Sequence, residues 1–172
     1  HGIAADVGTG TSTTQFWDRR STVSLVSSHW GEVRLGRDFV PTYVNWGRYD
    51  PFSYVGVAGA NNLITSSQAG PIRAAFASNP NTTVRSSNAV QFLLPGGLGG
   101  LEGGVMLAAS EGGTAAAGQD KLVGARLGWA NTAYGLSAAY AATNNDLTLL
   151  GKFKDLAVGA SAELAEGMRL SA

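Results

Sequence analysis

Charged residues are scarce in this sequence, and cysteine is absent. Lysine, arginine, aspartate and glutamate make up 14% of the 172 residues, whereas soluble globular domains carry roughly 25%. Twelve basic and twelve acidic residues give a formal net charge of zero, which argues against a nucleic-acid binder held by bulk charge. Without cysteine, a disulfide framework and a thiolate metal site are excluded for this chain.

Long hydrophobic runs are also missing. No stretch of 18 or more apolar residues occurs, so the sequence predicts no membrane-spanning helix. The near-neutral mean hydropathy of +0.03 is compatible with a transmembrane β-barrel, because its strands alternate lipid-facing and lumen-facing residues. A soluble glycine-rich β-protein would have a similar composition, so composition alone leaves both classes open.

Residues suited to catalysis or cofactor binding are few. The only histidines are His1 and His29, and no strained nucleophile motif accompanies them. Neither an H-E-x-x-H motif nor an aspartate-rich calcium loop occurs, and the glycines of segment 96–100 lie between predicted strands and do not open a helix. We therefore expect a protein that is not an enzyme and has no catalytic residue, metal or cofactor.

Apolar residues alternate with small or polar residues in segments of about ten residues. A period of two predicts β-strands, and this length suits a tilted strand that crosses a membrane. In segment 120–130, for example, Val123 and Leu127 oppose Gly124 and Arg126. The predicted strands are 14–28, 31–37, 84–94, 101–110, 120–130, 134–143, 149–164 and the beginning of one at 168–172.

The predicted connections alternate between short and long. Tight segments rich in turn-forming residues lie at 95–100, 131–133 and 165–167, and longer polar segments lie at 111–119 and 143–148. Short turns at one end and long loops at the other are typical of an outer-membrane barrel. Aromatic residues near the predicted strand ends suit the interfacial girdles of such a barrel: Trp17, Trp30, Phe92, Trp129 and Tyr134.

Three motifs carry a family resemblance. Residues 16–25 read F-W-D-R-R-S-T-V-S-L, residues 31–38 read G-E-V-R-L-G-R-D, and residues 85–92 read R-S-S-N-A-V-Q-F. They resemble the strands F-x-R-Q-x-x-V-x-L, G-x-V-x-L-G-R-Q and R-x-x-N-S-V-x-Y of the trimeric general porins of Gram-negative bacteria, particularly the betaproteobacterial branch. The resemblance covers most of the chain.

This resemblance implies an all-β fold, a transmembrane antiparallel β-barrel of 16 strands. About eight strands are present here, and residues 1–172 would form one partial barrel domain. The resemblance further implies a homotrimer in the outer membrane that contacts lipid and lipopolysaccharide and passes small hydrophilic solutes and ions by passive diffusion. Two alternatives are a complete eight-stranded barrel acting as a structural anchor or adhesin, and a soluble β-sandwich that binds a carbohydrate.

Segment 38–83 lacks clear periodicity and contains several prolines and glycines. So long a loop in a compact domain calls for a functional explanation. In the resembling family a long loop at this point folds into the barrel and narrows it, so we expect 38–83 to be a constriction loop. A disordered surface loop is the alternative, but it would rarely carry so many aromatic rings: Phe39, Tyr43, Trp46, Tyr49, Phe52 and Tyr54.

Arginines of the strands beside this loop are the predicted determinants of selectivity. In the resembling family, arginines at the positions of Arg19, Arg37 and Arg85 form a ladder on the barrel wall. Alternation puts Arg34 in the lumen when Val33 and Leu35 face lipid, and the same count from Val90 puts Arg85 there. The opposing acids on the loop would be Asp38 and Asp50. Excess positive charge at the narrowest section predicts a channel that prefers anions.

The first predicted strand leaves two choices for its lumen-facing arginine. If Val23 and Leu25 face lipid, alternation directs Arg20 into the lumen, whereas the family motif points to Arg19. We favour Arg19, because this strand would lie near the trimer contact, where the outward face need not be purely apolar. That outward face would carry Arg20, Thr22 and Ser24.

Overall fold

The computed structural model describes residues 20–55, 59–60, 82–109, 121–144, 152–165 and 168–172. Strands in these residues are β1 Ser21–Ser27, β2 Gly31–Phe39, β3 Arg85–Leu93, β4 Leu101–Ala108, β5 Leu122–Ala130, β6 Tyr134–Asn144, β7 Lys152–Ala165 and β8 Met168–Ser171, and helix α1 spans Pro41–Tyr49. The strands form one antiparallel sheet in sequence order, from β1 to β8. The predicted all-β antiparallel fold is thereby confirmed. Residues 14–19 of the first predicted strand lie outside the described residues.

The sheet is open at both edges. No backbone pairing joins β1 to β8 in the described part of the chain, and a closed eight-stranded barrel would require that pairing. A sandwich would require two packed sheets, whereas these strands belong to a single one. Within the described ranges, no helix has the length and apolar character needed to cross a membrane.

Tight turns join the strands at one end of the sheet, which we call the short-turn end. The Asn131 side-chain oxygen accepts backbone N–H groups of Ala133 at 2.9 Å and Tyr134 at 2.6 Å, as in an Asx turn. Gly100 has φ +92°, and a Cβ there would lie 2.1 Å from the Ala130 carbonyl oxygen, so this turn requires glycine. Four of the predicted girdle aromatics lie towards this end: Trp30, Phe92, Trp129 and Tyr134.

The two faces of the sheet differ as the alternation predicts. On the outer face apolar side chains are exposed, with Leu25 75% and Leu156 67% accessible. The inner face is the one against which α1 packs, and many of its side chains are small or buried. Examples are Gln91, Met106, Ser137, Ala139 and Ala157. An exposed apolar outer face is what a lipid-facing barrel wall requires.

Helix α1 lies across the inner face of β5, β6 and β7. It begins at Pro41. Proline suits this position because the N–H group that it lacks would have no partner in the first turn of a helix. Glycines make room for it: a Cβ at Gly124 would lie 3.1 Å from the Pro41 ring, and one at Gly159 only 2.1 Å from the Tyr49 ring. The loop from 40 to 84 therefore carries a helix that occupies space on the inner side of the wall.

Candidate pore-lining site

An ion-pair network joins β1 and β2 on the inner face. Arg34 donates to Glu32 at 2.7 Å and to Asp38 at 2.6 Å, and Arg20 Nε lies 3.1 Å from Asp38 Oδ1. The Asp38 side chain is 3% exposed, whereas that of Arg20 is 45% exposed. Two guanidinium groups and two carboxylates give this network no net charge.

A second charged cluster lies where α1 meets β4 and β5. Glu102 Oε1 accepts a hydrogen bond from Arg126 Nη2 at 2.6 Å and lies 3.1 Å from Arg48 Nε. Alternation and register place Glu102 and Arg126 on the inner face, and Arg48 extends from the last turn of α1. We call Arg48, Glu102 and Arg126 the Arg48 cluster. Two cations share one carboxylate, so the cluster carries one excess positive charge.

Asn45 fastens α1 to the wall. Its side-chain nitrogen donates to the Ala157 carbonyl at 3.2 Å, and its side-chain oxygen accepts from Arg126 Nε at 3.2 Å and from the Ser137 hydroxyl. The residue is 2% exposed. One buried amide thus links the helix to β5, β6 and β7.

Asp50 closes the turn that follows α1. Its carboxylate accepts the backbone N–H groups of Phe52, Tyr54 and Ala60, each at 2.9 Å. Burial alone would raise the pKa of Asp50, but these three hydrogen bonds favour the anion and hold that pKa below its usual value. The contacts of Asp50 make it a structural part of the loop.

The predicted arginines do not share one environment. Arg34 and Asp38 meet in the first network, but Arg37 follows the alternation of Val33 and Leu35 and donates to Ser87 Oγ at 2.7 Å. Arg19 lies outside the described residues. Among the predicted pore-lining residues that the structure describes, Arg34 and Asp38 form an ion pair.

A β-bulge separates Arg85 from the rest of its strand. Gly36 is opposite Ala89 and Asp38 is opposite Ser86, so β3 has one more residue than β2 over this stretch, and Asn88 adopts φ +51°. A bulge of this kind changes the phase of alternation, and the count from Val90 cannot be extended to Arg85. The Arg85 guanidinium lies 4.6 Å from the centre of the Phe39 ring.

The outward assignment of polar residues on β1 was wrong. Thr22 is opposite Gly36 and Ser24 is opposite Arg34, and directly opposed residues of antiparallel strands share a face. Both residues therefore lie on the inner face with Arg34. Arg20 follows the same alternation and is paired with Asp38.

Three arginines of the site were not among the predicted pore-lining residues. Arg20 and Arg126 had a signal, because each alternates with outward apolar neighbours such as Val23 and Val123. Arg48 had none, because segment 38–83 shows no period from which a helix face could be assigned.

Comparisons with known proteins give a consistent result. The family described as Gram-negative porin matches residues 3–172. Outer membrane porin protein 32 of Delftia acidovorans is 62% identical over 39 residues, which are 23% of this chain and 11% of that protein. An anion-selective porin from Comamonas acidovorans matches in structure with a TM-score of 0.63 and 27% identity over 88% of this chain and 44% of its own. The chain thus spans less than half the length of either relative.

Proposed function

Because the chain belongs to the Gram-negative porin family, we propose that the complete protein forms a water-filled channel for passive diffusion of small hydrophilic solutes and ions. The protein is located in the outer membrane of a Gram-negative bacterium. Residues 1–172 would act as one barrel domain without enzymatic activity, and 38–83 as its constriction loop.

The position of α1 is the observation that carries this proposal. The helix packs against the inner face of the wall, and charged side chains on this face and on the helix remain accessible: Arg20 is 45% exposed and Arg48 is 42% exposed. Accessible charged side chains on the inner side favour an interior that contains water, because the transfer of a charged group from water to an apolar interior is costly.

We further propose that the channel prefers anions. The network on β1 and β2 is neutral, whereas the Arg48 cluster carries one excess positive charge. Among the predicted pore-lining residues, Arg34 and Asp38 already belong to the neutral network, and Arg37 lies on the opposite side of β2 from Arg34. Arg19, as predicted, would add one further cation to the lumen. The structurally similar Comamonas protein is described as anion-selective, which supports this preference.

Reversal potentials across a salt gradient test both proposals. The complete porin, purified in detergent and inserted into planar bilayers, is expected to conduct and to show a higher permeability for chloride than for potassium. Low salt should strengthen the preference, because the Debye length grows from about 10 Å at 0.1 M to about 30 Å at 0.01 M. Absence of conductance would refute the channel, and a cation preference would refute the selectivity alone.

Assembly and lipid contact belong to the same proposal. Val23 and Leu25 of β1 are 73% and 75% exposed on the outer face, and such side chains require cover by lipid or by another subunit. We propose a homotrimer with β1 near the subunit contact, and contact of the remaining outer face with outer-membrane lipid and lipopolysaccharide.

A further inference from the structure

Arg48 is the exposed member of a cluster whose other arginine is buried. Its side chain is 42% exposed, whereas that of Arg126 is 10% exposed. Glu102 lies closer to Arg126, at 2.6 Å, than to Arg48, at 3.1 Å. Because Arg126 already pairs with the carboxylate of Glu102, the uncompensated positive charge of the cluster is assigned to Arg48, the arginine that is accessible to water.

Two acids of the described residues, Asp155 and Asp50, do not cancel this charge. Gly124 lies beneath the Pro41 ring, at the start of α1. Across the sheet, Gly124 is opposite Ala141, and Ala141 is opposite Asp155 on the inner face of β7. Asp155 is therefore level with the start of α1, and Arg48 lies seven residues further, about 10 Å along the helix axis. Asp50 is nearer in sequence, but its carboxylate already accepts three backbone N–H groups.

The contacts of Arg48 concern one side of its guanidinium group. Within the described residues its ion pair with Glu102 is made through Nε, and we infer that the terminal nitrogens are the groups that meet a solute. A guanidinium group binds carboxylate or phosphate through two parallel hydrogen bonds. Arg126, held by Asn45 and Glu102, keeps Glu102 in place against the wall.

We propose that the Arg48 cluster, at the end of the inward helix α1, is a binding site for small oxyanions such as carboxylates or phosphate. Arg48 contacts the passing anion, and Arg126 is a positioning residue that neutralises Glu102 and thereby leaves the charge of Arg48 uncompensated. This inference rests on the proposed anion-preferring channel and names the residue that gives the preference.

Charge variants of the complete porin in planar bilayers test this proposed anion-binding site. The variant R48Q is expected to lower the chloride-to-potassium permeability ratio roughly two- to tenfold. A unit charge about 4–8 Å from the ion path shifts the energies of the anion and the cation in opposite directions, and salt at about 0.1 M screens part of this effect. The variant E102Q is expected to raise the ratio, because both guanidinium groups are then uncompensated. The matched control is K154Q, which removes one positive charge from an exposed residue of the outer face of β7 and should leave the ratio unchanged.

Inorganic phosphate separates binding from bulk charge. Phosphate is expected to reduce the chloride current of the wild-type channel in a concentration-dependent way, and R48Q should abolish this block. R48K keeps the charge without the fork, so it should retain the chloride preference and show weaker block. A wild-type channel without anion preference would refute the proposed selectivity. An anion-preferring channel would refute the binding site alone if R48Q and K154Q had the same chloride-to-potassium permeability ratio, or if phosphate did not block the current.

Discussion

At the scale of the residue, Asp50 links the shape of the inward loop to proton concentration. Three backbone hydrogen bonds lower its pKa in the folded protein, so the carboxylate stabilises the turn fully above the ordinary aspartate pKa. This stabilisation is lost as the pH falls through the lower pKa of the folded state. We expect open-channel current fluctuations to increase in that acidic range.

The variant D50N provides the control for this acid effect. Its amide carries no charge and has one acceptor oxygen in place of two, so it cannot accept the N–H groups of Phe52, Tyr54 and Ala60 together as the carboxylate does. Fluctuations should therefore already be raised at neutral pH. The step at acidic pH should be smaller than in the wild type. An identical pH profile for the two channels would show that another acid is responsible.

At the scale of the element, helix α1 depends on one buried amide for its attachment. The variant N45A would leave Arg126 Nε and the Ser137 hydroxyl without their shared acceptor, at a cost of roughly 1–3 kcal/mol. We expect the helix to detach from the inner face of the sheet more often, so that mean conductance and open-channel noise both rise. Single-channel recordings measure both quantities.

Val44 offers a matched control on the same helix. It is 43% exposed and neighbours Asn45, so V44A removes a comparable volume without removing a side chain that can form hydrogen bonds. If N45A and V44A behave alike, the packing of Tyr49 over Gly159 holds the helix and the amide does not.

The strands could be predicted because their evidence is local. Alternation and turn-forming residues specify β3 to β7 within a few residues of the observed ends. Helix α1 could not be predicted, because the glycines that receive it, Gly124 and Gly159, belong to strands much later in the chain. Its short length gives it little stability of its own.

The candidate site was predicted only in part, for two physical reasons. Motif similarity assigned Arg37 to the same wall as Arg34, which alternation had placed in the lumen, although an odd sequence separation puts the two residues on opposite sides of a strand. The bulge at Asn88 then shifted the phase before Arg85. In contrast, the alternation of Arg126 with apolar neighbours was visible in the sequence and agrees with the structure.

At the scale of the whole molecule, the outer face of β1 tests the proposed trimer. The chain has no cysteine, so a single introduced thiol is unique within these residues. If β1 lies beside the threefold axis, where equivalent positions of the three subunits meet, V23C should be cross-linked between subunits by a short bismaleimide in detergent-solubilised porin. The control V158C carries the thiol on the outer face of β7, 65% exposed, and should remain monomeric on denaturing gels.

Other cross-linking patterns would contradict this arrangement. Equal cross-linking of V23C and V158C would indicate random collision, and cross-linking of V158C alone would move the contact to β7. Monomers in both variants, with monomeric mass in mild detergent, would refute the trimer.

The seat of α1 also determines the order in which the barrel can be assembled. Each described strand pairs with its neighbours in sequence, so the wall can grow hairpin by hairpin at a low entropic cost of loop closure. Asn45, however, bonds to Ala157, 112 residues later. The helix therefore has no complete binding surface until β7 has been added, and we expect the growing channel to be wide at first and to narrow only when α1 docks.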